Sequence, residues 1–215
     1  MSADLTSRLL ERRLVPVVVI EDAAKAVDLA KALLAAGLGV IEITFRTAAA
    51  EESIRRIATE CPDMLVGAGT LLDPEQIKKA AGAGAKFGLA PGLDEKVIQT
   101  AQKEKLTYVP GVATPSDVQK GLSMGCKIQK FFPAEQAGGA PYLKALEGPY
   151  GHTGLRFIPT GGLQVSNVGP YLALKSVAAL GGSWFVDKKY IEAADRSTIQ
   201  RLTREAVQLT SGAKS

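Results

Sequence analysis

Histidine occurs once in this chain, as His152, and tryptophan once, as Trp184. A site built from several imidazoles is therefore excluded. So is a zinc-dependent aldolase or hydrolase, which needs more such ligands than the chain holds. His152 falls in Gly148-Pro149-Tyr150-Gly151-His152-Thr153-Gly154, which reads as a surface loop. The two cysteines, Cys61 and Cys126, stand in different elements without metal-ligand spacing and read as buried or partly buried thiols. No run reaches the ~18 uninterrupted apolar residues of a membrane span. The N-terminal Met1-Ser2-Ala3-Asp4-Leu5-Thr6-Ser7-Arg8 lacks the apolar stretch of a signal peptide. The expected location is the cytoplasm, with no membrane partner. Neither sign of charge dominates: 26 Lys and Arg against 22 Asp and Glu leave +4. The cations are spread along the helical segments, so no nucleic-acid partner is expected. A mild positive bias suits a small anionic substrate.

What the chain has is length for one full core, small residues and a repeat. At 215 residues and 46% hydrophobic, residues 1–215 are expected to form a single domain. Short apolar runs recur at 14–20, 40–45, 64–68, 86–90, 106–109, 127–132, 155–158 and 177–180. Several are rich in Val and Ile and lack a polar face, as strands covered on both sides do. Helical patterns separate them. Asp22 is placed to cap a helix over 23–36 that stops at Gly37. Asp73-Pro74, Asp94-Glu95 and Pro115-Ser116-Asp117 open three more. In 197–209, Ile199, Leu202, Ala206 and Leu209 form one stripe. Strand then helix, eight times, predicts an α/β fold, a single (β/α)8 TIM barrel, with residues 5–13 forming a helix that caps its bottom. The runner-up, an open doubly wound sheet, would show a G-x-G-x-x-G turn after the first strand. That strand instead ends Val19-Ile20-Glu21-Asp22.

In such barrels the chemistry sits at the C-terminal ends of the strands. Lys130 lies in Lys127-Ile128-Gln129-Lys130-Phe131-Phe132-Pro133, where alternation puts it on one face with Ile128 and Phe132. A lysine among apolar side chains is costly as a cation, and the neutral amine is a nucleophile that forms Schiff bases with ketones. The plain alternative is an edge-strand lysine facing water. In Val40-Ile41-Glu42-Ile43-Thr44-Phe45-Arg46, alternation turns Glu42, Thr44 and Arg46 into the barrel. Glu42 then either pairs with Arg46 for structure, or serves as acid/base beside Lys130 while Arg46 grips an anionic group. Thr70 follows the small residues Gly67-Ala68-Gly69 and offers a hydroxyl at the mouth. Pro91-Gly92 and Pro110-Gly111 end the next two strands and, by themselves, are ordinary turn chemistry. The last two strands end in Thr160-Gly161-Gly162 and Gly181-Gly182-Ser183-Trp184. Paired glycines after strands seven and eight are where barrels place a phosphate, because bare N–H groups approach it closely. The alternative is two tight turns.

Taken in order, Ile41-Glu42-Ile43-Thr44-Phe45-Arg46-Thr47, Val66-Gly67-Ala68-Gly69-Thr70, Pro91-Gly92, Val109-Pro110-Gly111, Lys130-Phe131-Phe132-Pro133-Ala134-Glu135, Pro159-Thr160-Gly161-Gly162 and Gly181-Gly182-Ser183-Trp184 closely resemble the KHG/KDPG aldolase family, over nearly the whole chain. The resemblance implies a homotrimeric class I aldolase of the Entner–Doudoroff pathway. It would cleave 2-keto-3-deoxy-6-phosphogluconate (KDPG) to pyruvate and glyceraldehyde 3-phosphate, with neither metal nor cofactor. By the same resemblance Lys130 is the Schiff-base lysine, Glu42 the acid/base, and Thr160 helps orient the carboxylate. Arg46, Thr70, Pro91 and Phe132 fall at substrate-pocket positions, and Gly161, Gly162, Gly181, Gly182 and Ser183 at the phosphate site. Rival readings are an aldolase for 4-hydroxy-2-oxoglutarate or for the C4-epimeric phosphogalactonate, a non-catalytic sugar-phosphate-binding barrel, and an isomerase barrel that would not need Lys130.

Overall fold

The structure is a computed structural model that describes residues 3–212. Helix α1 (Ala3–Leu10) leads into β1 (Leu14–Val18), a 3-10 turn (Ala23–Lys25) and α2 (Ala26–Ala35). β2 (Val40–Thr44), α3 (Ala50–Glu60), β3 (Leu65–Gly69), α4 (Pro74–Gly82), β4 (Phe87–Leu89) and α5 (Glu95–Lys103) alternate strictly. Then β5 (Thr107–Val109) and β6 (Gly111–Val112) follow each other directly, before α6 (Pro115–Ser123), β7 (Ile128–Phe131) and α7 (Gly139–Tyr150). A 3-10 turn (Gly151–Thr153), β8 (Arg156–Pro159), α8 (Gly169–Leu172), β9 (Leu180–Gly182), α9 (Lys188–Glu192) and α10 (Arg196–Ser211) complete the order.

Six parallel strands form one sheet in the order β5-β4-β3-β2-β1-β9, and β6-β7-β8 form a second parallel sheet. Isolated bridges Phe157–Val177 and Thr160–Gly181 connect β8 to the β9 segment. The expected fifth strand is thus two short pieces parted by Pro110, whose nitrogen cannot join a ladder. Its carbonyl still accepts the Lys130 N–H at 2.8 Å. The expected eighth strand at 177–180 lies instead at Leu180–Gly182, with Val177 in a lone bridge.

β2 and β3 are buried along their whole length, as strands packed on both faces must be. Gly67 admits the Phe87 ring from the next strand, which a Cβ there would strike. The helix starts follow their side chains. Asp73 accepts from Gln76 N–H at 2.9 Å, and Asp94 from Val97 N–H at 3.0 Å. At α6 the cap is Thr114, one residue before the expected Pro115 opening, and Asp117 completes a capping box with it. Asp22 caps the 3-10 turn, so α2 itself begins at Ala26 rather than 23. Tyr142-Leu143-Lys144 lie inside α7, and exposed His152 sits in the turn that follows it. Both cysteines are free and buried.

Leu9 of α1 is fully buried, and Arg8 donates to the Asp63 carbonyl at 3.1 Å just before β3. Leu5 faces Leu106, Thr107, Lys127 and Ile128 across a cavity of about 540 Å3. The helix is thus placed near the residues that lead into β3, β5 and β7. Among the described residues, no helix is long and apolar enough to cross a membrane, and no group of three or more His, Cys, Asp or Glu is placed to hold a metal.

Candidate active site

Lys130 stands near the C-terminal end of β7, in register with Gly111 on one side and Ile158 on the other. It is 4% exposed. Its Nζ lies 3.6 Å from Glu42 Oε1 on β2 and 5.6 Å from the centre of the Phe132 ring. Glu42 is 1% exposed, and neither of its oxygens takes a hydrogen bond within the described residues. Burial pushes its carboxyl above the usual range, an effect that the nearby Lys130 partly opposes. Gly69 makes this arrangement possible, since a Cβ there would overlap the Glu42 carboxylate. Thr70, just past the end of β3, holds φ 57°, a left-handed conformation that a β-branched residue adopts only under strain.

Arg46 lies past the end of β2 and is exposed. With Glu21, Thr47, Ser183, Trp184 and Lys188 it lines an open cavity of about 430 Å3. The structural Glu42–Arg46 pair is not formed: Glu42 faces Lys130, and Arg46 has no ion pair among the described residues. Thr44 does point inward, but its hydroxyl donates to the Val18 carbonyl at 2.9 Å. Half-buried Pro91 backs Gly111, where a Cβ would collide with the Pro91 carbonyl. Because Gly111 pairs with Lys130, this close approach seats Pro91 beside the lysine strand.

The two glycine pairs meet from adjacent strand ends. Thr160, 6% exposed, receives its place from an N–H bond to the Phe131 carbonyl at 2.9 Å and from its bridge to Gly181. A Cβ at Gly181 would overlap the Thr160 hydroxyl, and one at Gly182 would enter the Trp184 ring. Gly161 and Gly162 hold φ of 103° and 74°, conformations that favour glycine. Their N–H groups donate to no backbone acceptor among the described residues.

The model of the KDPG and KHG aldolase family matches residues 5–202. The chain belongs to this family. It is 45% identical over 194 residues to the KHG/KDPG aldolase of Escherichia coli (strain K12), covering 90% of each chain. It is 46% identical over 193 residues to the 2-dehydro-3-deoxy-phosphogluconate aldolase of Dickeya dadantii (strain 3937), again 90% of each. Among solved structures, the KDPG aldolase of Legionella pneumophila, with pyruvate captured as a covalent carbinolamine, matches with a TM-score of 0.91 at 37% identity, over 96% of this chain and 99% of that one.

In this member of the family, the structure gathers the sequence-marked residues into two groups. Lys130, Glu42 and Phe132 are in direct contact or near it, while Arg46 and Ser183 share the open cavity, whose lining includes neither Lys130 nor Glu42. Thr160 and Gly161 join the two, because Gly161 also backs onto the Phe132 ring. Sequence reasoning missed Asn167. Its Nδ2 donates to the Gly162 carbonyl at 2.9 Å and its Oδ1 accepts from Gln164 N–H at 2.8 Å, bracing the glycine loop. The signal available was an asparagine a few residues beyond a Gly-Gly turn, which is too common to single out.

Proposed function

We propose that the protein is a class I aldolase that cleaves KDPG to pyruvate and D-glyceraldehyde 3-phosphate through a Schiff base on Lys130. The observation that carries this reading is the buried amine of Lys130 at 3.6 Å from a buried carboxyl with no other partner. An unpaired buried carboxyl is costly; a substrate hydroxyl or a carbinolamine hydroxyl between the two groups supplies what it lacks. The Lys130 amine attacks the C2 ketone, and Glu42, whose carboxyl burial pushes up and so makes a readier proton holder, donates a proton as the carbinolamine loses water. The iminium is then the electron sink. Glu42 takes the C4 hydroxyl proton, directly or through a water. The C3–C4 bond breaks with its electrons moving into an enamine, and the aldehyde leaves. Glu42 returns the proton to C3, and water releases pyruvate. The iminium does the polarising that a metal would do, so the reading calls for no metal or cofactor.

Arg46 and Thr70 hold the C1 carboxylate in this reading, Thr160 orients it, and Pro91 and Phe132 wall the pocket. The N–H groups of Gly161 and Gly162, with Gly181, Gly182 and Ser183, take the phosphate. Holding substrate at both ends aligns the reacting carbons, a contribution that reaches ~7 kcal/mol or more in well-oriented systems. The rest of the reading concerns the whole chain. The strand pairings and the two isolated bridges support one closed (β/α)8 barrel in a single domain, with β5 and β6 as halves of one strand and α1 capping the bottom. A cytoplasmic homotrimer is also part of it. The phosphogalactonate alternative is less favoured: a solved KDPGal structure matches at 26% identity and a TM-score of 0.76.

Purified protein assayed for pyruvate release should turn over KDPG with kcat/KM above that for its C4 epimer and for 4-hydroxy-2-oxoglutarate. The activity should elute at three times the chain mass. Lys130→Ala should be folded and inactive; turnover by that variant would remove the mechanism.

A further inference from the structure

The segment that follows the lysine strand runs directly behind the Gly161-Gly162 loop. Ala134 N–H donates to the Thr160 carbonyl at 2.8 Å and Glu135 N–H to the Gly161 carbonyl at 3.2 Å. The stem of Glu135 lies against Gly162, where a Cβ would come within 2.8 Å of the Glu135 Cβ. The Glu135 carboxylate is in turn held by Tyr171, whose hydroxyl donates to Oε1 at 2.5 Å. Tyr171, on the short helix α8, is 1% exposed. Burial, with the hydrogen bond and the charge of Glu135, holds its phenol above the usual range, so it remains a proton donor. A charge-assisted bond of this kind is among the stronger ones in a protein.

None of the chemistry above uses this pair. We infer that Glu135 and Tyr171 are positioning residues for the phosphate end of the site: Tyr171 pins the Glu135 carboxylate away from the bound phosphate, and the pinned side chain fixes the backbone of Gly161 and Gly162 in their left-handed conformations. The inference rests on the phosphate being held at that loop. Freed from Tyr171, the carboxylate is a negative charge next to a dianion, and the floor under Gly162 is loose. The pair therefore governs preference for a phosphorylated aldehyde without touching the Lys130 chemistry.

The test uses the condensation direction with pyruvate and compares kcat/KM for D-glyceraldehyde 3-phosphate with that for D-glyceraldehyde, which differs only by the phosphate. Tyr171→Phe, which keeps the ring, should lower the preference for the phosphorylated aldehyde about tenfold, as expected when a charged hydrogen-bond partner is lost. The loss should fall on KM, with the rate of borohydride-trapped pyruvate adduct unchanged. Glu135→Ala removes the charge together with the stem that braces Gly162, so it should lower the preference in the same direction but by less than Tyr171→Phe, and the result does not hang on one variant folding. Glu135→Gln, which still accepts from the phenol, should retain the preference. Equal losses on both aldehydes, or an unchanged preference in Tyr171→Phe and Glu135→Ala, would overturn the inference. Ser183→Ala separates the two levels. If it lowers the preference while the Tyr171 and Glu135 variants do not, only the inference fails; if it also leaves the preference unchanged, the phosphate assignment itself fails.

Discussion

Glu42 has a carboxyl pushed up by burial and only partly relieved by Lys130, which ties its chemistry to stability. A carboxyl whose folded pKa lies above its unfolded value binds its proton more readily when folded. Its contribution is therefore most favourable below the ordinary glutamate range and is lost as pH rises through the raised folded value. Glu42→Gln should erase that slope. The gap in Tm between native protein and variant should move against the native protein from about pH 4 to about pH 8. The direction of change with pH is the diagnostic, rather than the size of the gap, since the variant also alters the buried contact with Lys130. The same variant should lose about 10²- to 10⁴-fold in kcat. A Tm gap that does not vary with pH would mean that Glu42 is not protonated as described. Lys130 and Glu42 were legible because strand alternation fixes which side chains turn inward, and a charged side chain on an apolar inward face is conspicuous. Arg46 was legible as an anion-binding candidate but not in its place. β2 stops at Thr44, so alternation no longer governs Arg46, and it reaches the open cavity instead of Glu42. The strained φ of Thr70 has no sequence signature, since nothing local favours it.

At the scale of elements, the helix starts at Asp73 and Asp94 were readable because a short acceptor side chain before a helical run has one common use. The start of α6 reads from Pro115, whereas the cap is Thr114, and Thr114-Pro115-Ser116-Asp117 carries the spacing of a capping box. Asp117 is partly buried, which would raise its carboxyl. Bonds from the Ala113 and Thr114 N–H groups and the Thr114 hydroxyl override this and hold it below the usual range. Its stabilising share is present above the ordinary aspartate range and is lost as pH falls through the lowered folded value. Thr114→Ala should cost about 1 kcal/mol in urea denaturation at neutral pH, with activity retained. No loss would show that Asp117 alone sustains the start of α6. The interrupted strand at Pro110 was hidden for a different reason. The run 106–109 reads as a strand and holds over Thr107–Val109, but Pro110-Gly111 reads as turn chemistry, whereas Gly111 opens β6; whether the chain resumes pairing after a proline depends on the neighbouring β7, not on local sequence.

At the scale of the whole molecule, the alternation of strands and helices followed from periodicity, the N-terminal helix expected over 5–13 ends at Leu10 instead, and family membership followed from the ordered motifs and is borne out by relatives across 90% of the chain. Single motifs would not have sufficed, since Pro-Gly and Gly-Gly turns are common in any fold. The division of the ladder into six and three strands arises from tertiary pairing, as does the Tyr171–Glu135 contact between residues 36 positions apart, and neither leaves a local trace. The arrangement converges on one chemical event, attack of the Lys130 amine on a 2-keto acid. The direct measurement is borohydride reduction in the presence of pyruvate, followed by intact and peptide mass analysis. The account predicts a single reduced pyruvyl adduct per chain, on the peptide that carries Lys130. A folded protein with no adduct, or with the adduct on another lysine, would contradict it.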